Sequence, residues 1–334
     1  MFLPVPRERE RSMNISRRQF LQGSAATLLA PGIARAQDYP AGPVRWLVGY
    51  PPGGATDIVA RMMGQWLSER LKQPFIVENH PGASGNLATL AVVNAPADGY
   101  TLLLVNAGNA INTSLYDKLA FSFPQDIEPV ASIVRVPLVL LVNPSVPVKS
   151  VPEFIDYARA HPGRINMASA GNGTPQHVAG ELLKMMAGID LTHVPYHGSA
   201  PAMSDLLGGQ VQAAFETTAA SIAHIRAGRL LPLAVTTSSA IEALPEVPVL
   251  GRFVPGYEAS GWYGAGAPRN TPSGIVGTLN REINTGLDSP AIRARLAELG
   301  ATAFAGSPAE FGRFMADETG KWAKVVRFSG AKAD

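Results

Sequence analysis

Four times along this chain a short β-rich run leads into a glycine-containing loop with a helical pattern directly behind it, at 50–57, 79–86, 170–175 and 196–200. That order permits few architectures. Strand candidates fall at 44–50, 75–78, 101–105, 130–142, 165–168, 191–195, 211–216 and 230–236. Between them apolar residues recur at helical spacing, as in Ile58, Val59, Met62, Met63, Trp66 and Leu67. Strands alternating with helices predict parallel α/β sheets.

The punctuation agrees with this pattern. Ser150-x-x-Glu153 and Ser307-x-x-Glu310 read as capping boxes, with Pro152 and Pro308 in their first turns. Thr174-Pro175, Thr271-Pro272 and Ser289-Pro290 each place a cap before a first-turn proline, and Gly163, Gly188 and Gly300 follow helical runs as C-caps or turn residues. A chain of 334 residues has room for about two domains. No repeat or long linker separates them, so they are closely joined. The long apolar run 130–142, interrupted by Arg135 and Pro137, is the expected crossing between them.

Residues 1–36 read as an address. Arg17-Arg18-Gln19-Phe20-Leu21 precedes a short apolar stretch and Ala34-Arg35-Ala36, the pattern of a twin-arginine signal peptide cleaved after Ala36. An ordinary arginine-rich leader is the alternative. The formal charge of +2 comes from this leader, whose six Arg and two Glu leave 22 basic and 24 acidic residues behind it. A general nucleic-acid binder carries a basic excess, and this chain does not. The absence of cysteine excludes a disulfide framework, thiolate metal sites, a cysteine nucleophile and a lipidated cysteine. Export and a free periplasmic product are therefore expected.

The loops offer backbone chemistry. In Tyr50-Pro51-Pro52-Gly53-Gly54-Ala55-Thr56-Asp57, glycines let amides approach a ligand and the helix start behind them favours an anion. Asp57 opposes this unless it caps the helix, holds waters or meets an amine. Gly82-Ala83-Ser84-Gly85 is one residue short of a nucleophile elbow. Gly171-Asn172-Gly173-Thr174-Pro175 fits neither a P-loop nor a dinucleotide fingerprint. Tyr196-His197-Gly198-Ser199-Ala200 repeats the small-residue helix start.

Catalytic and metal patterns are missing. The six histidines (80, 161, 177, 193, 197 and 224) form no H-E-x-x-H motif, and His193 and His197 flank Pro195 at a strand end. Ser84, Ser169 and Ser199 are the candidate nucleophiles, none on an elbow, and Asp57 and Glu216 are the only strand-end acids to consider. No catalytic residue, metal site or cofactor is expected.

Taken together, the loops match a known family. Residues 50–61 (Tyr-Pro-Pro-Gly-Gly-x-x-Asp-x-x-Ala-Arg), 78–85 (Glu-Asn-His-Pro-Gly-Ala-Ser-Gly) and 98–103 (Asp-Gly-Tyr-Thr-Leu-Leu) resemble the periplasmic solute receptors of tripartite tricarboxylate transporters, the Bug family. The likeness continues through 171–177, 194–202, 205–211, 244–248 and 255–264. It implies a type II periplasmic binding protein, with two α/β lobes, a two-stranded hinge and a ligand cleft between them. The lobes map to 38–142 plus 254–334 and to 143–253.

The resemblance further implies a small carboxylate held by backbone amides, small hydroxyls and bridging waters, and delivery by a monomeric receptor to membrane permease subunits. Carried over, the ligand-binding residues are Tyr50, Gly53, Gly54, Ala55, Thr56, Asp57, Ser84 and Asn106 from the first lobe. Gly173, Thr174, His177, Tyr196, Ser199, Ala200 and Glu216 come from the second. His80 stands where the family usually has Arg or Lys, His197 where it has Lys, and Glu216 where it has Asp. If either histidine touches ligand, affinity should change with pH between about 5 and 8. Dicarboxylates, tricarboxylates, amino acids and aromatic acids all suit such a site. A receptor feeding a sensor kinase, or an enzyme on the same fold, are the rival functions.

Overall fold

The computed structural model describes residues 39–333; the leader at 1–36 and its cleavage site lie outside them. The chain runs β1 (Val44–Val48), α1 (Ala55–Leu71), β2 (Phe75–Asn79), a 3-10 turn (Ala83–Gly85), α2 (Asn86–Val93), β3 (Thr101–Asn106), α3 (Ala107–Leu115), α4 (Phe123–Asp126) and β4 (Ile127–Val142). It continues through α5 (Val151–Ala160), β5 (Asn166–Ser169), α6 (Pro175–Ala187), β6 (Thr192–Pro195), α7 (Ser199–Leu207), β7 (Ala213–Thr217), α8 (Thr218–Arg226) and β8 (Leu231–Val235). A second 3-10 turn (Leu250–Arg252), β9 (Ser260–Pro268), α9 (Ser273–Leu287), α10 (Pro290–Glu298), β10 (Thr302–Ala303) and α11 (Pro308–Ser329) complete it.

The strands form one mixed sheet in the order β2-β1-β3-β9-β4-β7-β5-β6, with β8 and β10 also paired to β4. Parallel pairs β1/β2, β1/β3, β5/β6 and β5/β7 are the βαβ units read from the sequence. Antiparallel β9 and β4 join the two sets.

β4 changes partner midway. Its residues up to Pro137 pair with β9, where Pro137 lies opposite Ser260, and from Leu138 onward they pair with β7 and β8. Proline has no N–H to give the ladder, so the handover falls where the pairing is weakest. Beside it the returning chain bonds to β4 and to itself, Thr236 N–H to the Leu138 carbonyl and Ala259 N–H to the Thr236 carbonyl, at 2.9 and 3.0 Å. Arg135 does not break the strand. Its guanidinium pairs with Glu258 at 2.8 Å and lies over the Phe304 ring, 4.2 Å from its centroid.

Eight of the strands lie where the sequence places them, with ends shifted by up to three residues. β9 and β10 were not legible. Ser-Gly-Trp-Tyr-Gly-Ala-Gly-Ala-Pro is not among the strand candidates, yet β9 is buried between β3 and β4. Its glycines answer a packing demand: a Cβ on Gly264 would meet the Phe311 ring at 2.3 Å and the Ala131 carbonyl at 2.6 Å.

Most caps form as read. Ser307 and Glu310 make the full reciprocal box, and Thr174 accepts the His177 N–H. Two readings need correction. Glu153 reaches past Ser150 to the Lys149 N–H at 2.8 Å, so only half the box exists there. Pro272, not Thr271, is the N-cap of α9, because the Thr271 hydroxyl turns back to donate to the Pro268 carbonyl.

Candidate ligand-binding site

A cavity of about 450 Å³ opens where β1, β3 and α6 present their loops and helix starts. One wall is the β1–α1 loop and the first turn of α1: Tyr50, Pro51, Pro52, Gly54, Ala55 and Thr56. Gly54, extended at φ −78° and ψ 168°, is the N-cap of α1, and no side chain caps this terminus. The first-turn amides of a helix have no intrahelical acceptor, so this end of the cavity is lined by N–H groups and carries the positive end of a macrodipole.

Asp57 sits directly behind and is almost fully buried. Its carboxylate accepts the Gly53 N–H at 2.9 Å, Asn79 Nδ2 at 2.9 Å and Arg61 Nε at 3.0 Å. Burial alone would raise its pKa, but the Arg61, Gly53 and Asn79 bonds outweigh that and hold it below the usual carboxylate value. With Arg61 balancing the charge, Asp57 braces the loop and does not line the cavity.

The second wall is a strained loop fixed by its neighbours. Ala83 and Ser84 have φ of 46° and 54°, a left-handed conformation costly for side chains. The Ser84 carbonyl accepts Asn112 Nδ2 at 3.0 Å and the Tyr50 hydroxyl at 3.3 Å, while its Oγ accepts the Tyr116 hydroxyl at 3.2 Å. Beneath, the chain packs backbone on backbone, since a Cβ on Gly49 would lie 2.6 Å from the Gly85 Cα.

α3 and α6 complete the enclosure. Asn106 caps α3, accepting the Gly108 N–H at 2.7 Å, while Asn109 returns to the Asn106 N–H at 2.8 Å. From the loop leading into α6 and its first residue come Asn172, Gly173, Thr174 and Pro175. This terminus differs from that of α1: Thr174 caps it and a proline occupies its first position. The α1 terminus is thus the better anion anchor.

Of the residues named from the sequence, Tyr50, Gly54, Ala55, Thr56, Ser84, Asn106, Gly173 and Thr174 line this cavity. Gly53, Asp57, His177, Tyr196, Ser199, Ala200 and Glu216 do not. Tyr196 turns its hydroxyl onto Asp205 Oδ2 at 2.7 Å, and burial together with that bond pushes its pKa up to about 12. Ser199 and Glu216 form a second layer behind Gln176, whose Nε2 donates to Ser199 Oγ at 3.3 Å and Glu216 Oε1 at 3.2 Å. His177 is buried, its ring stacked on His193 with centroids 3.8 Å apart. Ala200 is exposed. His80 lies 3.2 Å from Glu78 and His197 is exposed; neither lines the cavity.

Gly108, Asn112 and Tyr263 escaped the sequence reading. Gly108 and Asn112 lie one helical turn apart on α3, a spacing that follows once Asn106 is taken as its cap. Tyr263 stands on β9, a strand not among the sequence candidates.

No Lys, Arg, His, Asp or Glu lines the cavity among the described residues. The tyrosines remain neutral donors: burial pushes Tyr50 up to about 12 and raises Tyr263 further. A site walled by amides, hydroxyls and carboxamides can bind a compact anion, and it contains no acid–base pair or activated nucleophile. Among the described residues no cluster of three or more metal-ligating side chains occurs, and no helix is long and apolar enough to cross a membrane.

Residues 59–330 match the family described as the tripartite tricarboxylate transporter family receptor. The chain belongs to that receptor family. It is 38% identical to protein BugT of Bordetella pertussis over 92% of this chain and 95% of that one. Among solved structures it is similar to Rpa4515 of R. palustris with adipate, at 38% identity, a TM-score of 0.75 and coverage of 88% and 99%. MatC of Rhodopseudomonas palustris, with bound malate, follows at 32% identity, a TM-score of 0.71 and coverage of 86% and 100%. The α/β fold is thus that of the family's solute-binding proteins, and the family is one of receptors and not of enzymes.

Proposed function

We propose that this chain is a periplasmic receptor that captures a small carboxylate by lobe closure and delivers it to the membrane subunits of a tripartite tricarboxylate transporter. The uncapped N-terminus of α1, facing a cavity without ionised side chains, carries this reading. A carboxylate there completes the first-turn amides and meets no competing charge. Charged hydrogen bonds are worth about 1.5–3 kcal/mol each. Three of them are of the size of micromolar affinity, about −8 kcal/mol.

The lobes are residues 38–142 plus 254–334 and residues 143–253, and the handover in β4 with the adjacent return at Thr236–Ala259 is the hinge. Walls from both sides meet only when the lobes close, so the ligand selects the closed form through its contacts to each. Gly53 and Asp57 shape the first anchor; His177, through the Gly173 N–H, and Ser199 and Glu216, through Gln176, stand behind the second lobe's wall.

A thermal-shift screen of small carboxylates on protein stripped by unfolding and refolding tests this reading, because a selective ligand raises the midpoint by mass action. At least one should raise it in the parent, and none in Thr56→Arg, whose side chain fills the cavity. A flat screen in the parent would overturn the proposal.

A further inference from the structure

Behind the main cavity lies a smaller one of about 130 Å³, and the two share Asn106, Pro175 and Tyr263 as walls. It lies against the paired strands β4 and β9. Val136, Leu138, Gly261 and Trp262 give it an apolar lining, and no side chain projects from Gly261. An apolar cavity of about 150 Å³ is known to hold benzene, so this chamber is sized for one small ring or a short aliphatic chain.

Gln176 and Thr217 make the polar part of its inner end, with Asn106 and Tyr263 at the side shared with the main cavity. Gln176 has both amide hydrogens engaged, one on Ser199 Oγ and one on Glu216 Oε1. Glu216 also accepts the Thr217 N–H at 2.7 Å and is almost fully buried. A carboxylate accepts only, so the Gln176 amide must turn its nitrogen to Glu216, which leaves its carbonyl oxygen to offer. No Lys, Arg or His lines either cavity among the described residues. A second carboxylate at this inner end would meet the Gln176 carbonyl oxygen, with the buried Glu216 carboxylate behind it.

We infer that the preferred ligand is a monocarboxylate whose apolar body fills this inner chamber and whose far end bears a hydrogen-bond donor such as a hydroxyl. The inference rests on the receptor reading above. It separates this chain from its adipate-bound and malate-bound relatives.

Titration calorimetry on the stripped full-length receptor tests it with phenylacetate, 4-hydroxyphenylacetate, adipate and acetate. The aryl acids should bind at least tenfold tighter than adipate, and the hydroxylated one tighter than phenylacetate. Leu138→Phe, which reduces the chamber, should weaken both aryl acids at least tenfold, with circular dichroism checking its fold. Adipate binding tighter than both aryl acids would overturn the inference and leave the carboxylate receptor standing. So would aryl binding unaffected in a folded Leu138→Phe. If none of the four acids binds, the inference fails, and the carboxylate screen above decides the receptor reading separately.

Discussion

The backbone N–H of Gly173 donates to Nδ1 of His177 at 3.1 Å, tying a cavity-lining residue to a buried imidazole. The bond fixes the tautomer: Nδ1 accepts, so the proton of the neutral ring is on Nε2, which faces Glu181 Oε1 at 3.9 Å. Protonation of Nδ1 would break the bond and set two donors against each other.

That pair predicts how stability depends on pH. Burial, the neighbouring His193 and Lys184 push His177 down to about 3, and burial with Lys184 pushes His193 down to about 4, from an ordinary 6.5. Below about pH 6.5 the unfolded chain takes up protons that the folded chain refuses, so stability falls as pH is lowered through this window. Each group contributes up to about 1.4 kcal/mol per pH unit. Glu78, held down to about 2 chiefly by its Arg45 hydrogen bond, loses its contribution only below about pH 4.5. Urea denaturation at pH 7, 6 and 5 should show a falling midpoint in the parent and a smaller fall in His177→Gln/His193→Gln. An equal fall in both would contradict the assignment.

Gly49 and Gly85 predict a backbone effect. Gly49→Ala drives a methyl into the Gly85 Cα, where nothing flexible can yield. Overpacking of this kind costs about 1–3 kcal/mol. Chemical denaturation should read that loss, and ligand affinity should fall with it because the displaced turn carries Ser84. Parent-like stability would show that the two strand-end loops can separate freely.

Two caps separate stability from binding. Thr174→Ala and Ser307→Ala each remove a side-chain cap, worth about 1 kcal/mol. Both variants should lose about that much stability. Only Thr174→Ala should also weaken carboxylate binding, because Ser307 lies at the start of α11 and lines neither cavity. Equal effects on affinity would mean that the Gly173–Thr174 wall is not part of the site.

The sequence made the parallel units and most helix starts legible because each depends on neighbouring residues: a strand run, a cap, a first-turn proline. β9 depends on something else. Its glycines are dictated by residues far away in the chain, Gly264 by Phe311 and Ala131, Gly261 by Val136 and Gly266 by Ile127 and Val105. The cavity loops were legible for the first reason, and Tyr263 was hidden for the second. Glu216, Tyr196 and Ser199 show a third limit. A strand end or loop can be found from sequence, but the direction of its side chain is set by partners such as Gln176 and Asp205, so these residues fall behind the wall.

The central claim is that main-chain amides of the first turn of α1 hold a carboxylate, and Ala55→Pro tests it most directly. Proline is tolerated at the first helical position, and Gly54 already has the extended geometry a following proline requires, so the helix should survive while one amide is deleted. In titration calorimetry with phenylacetate and adipate, whichever acid binds the parent should bind Ala55→Pro at least tenfold more weakly, with an unchanged circular dichroism spectrum. Equal affinity in parent and variant would contradict the account.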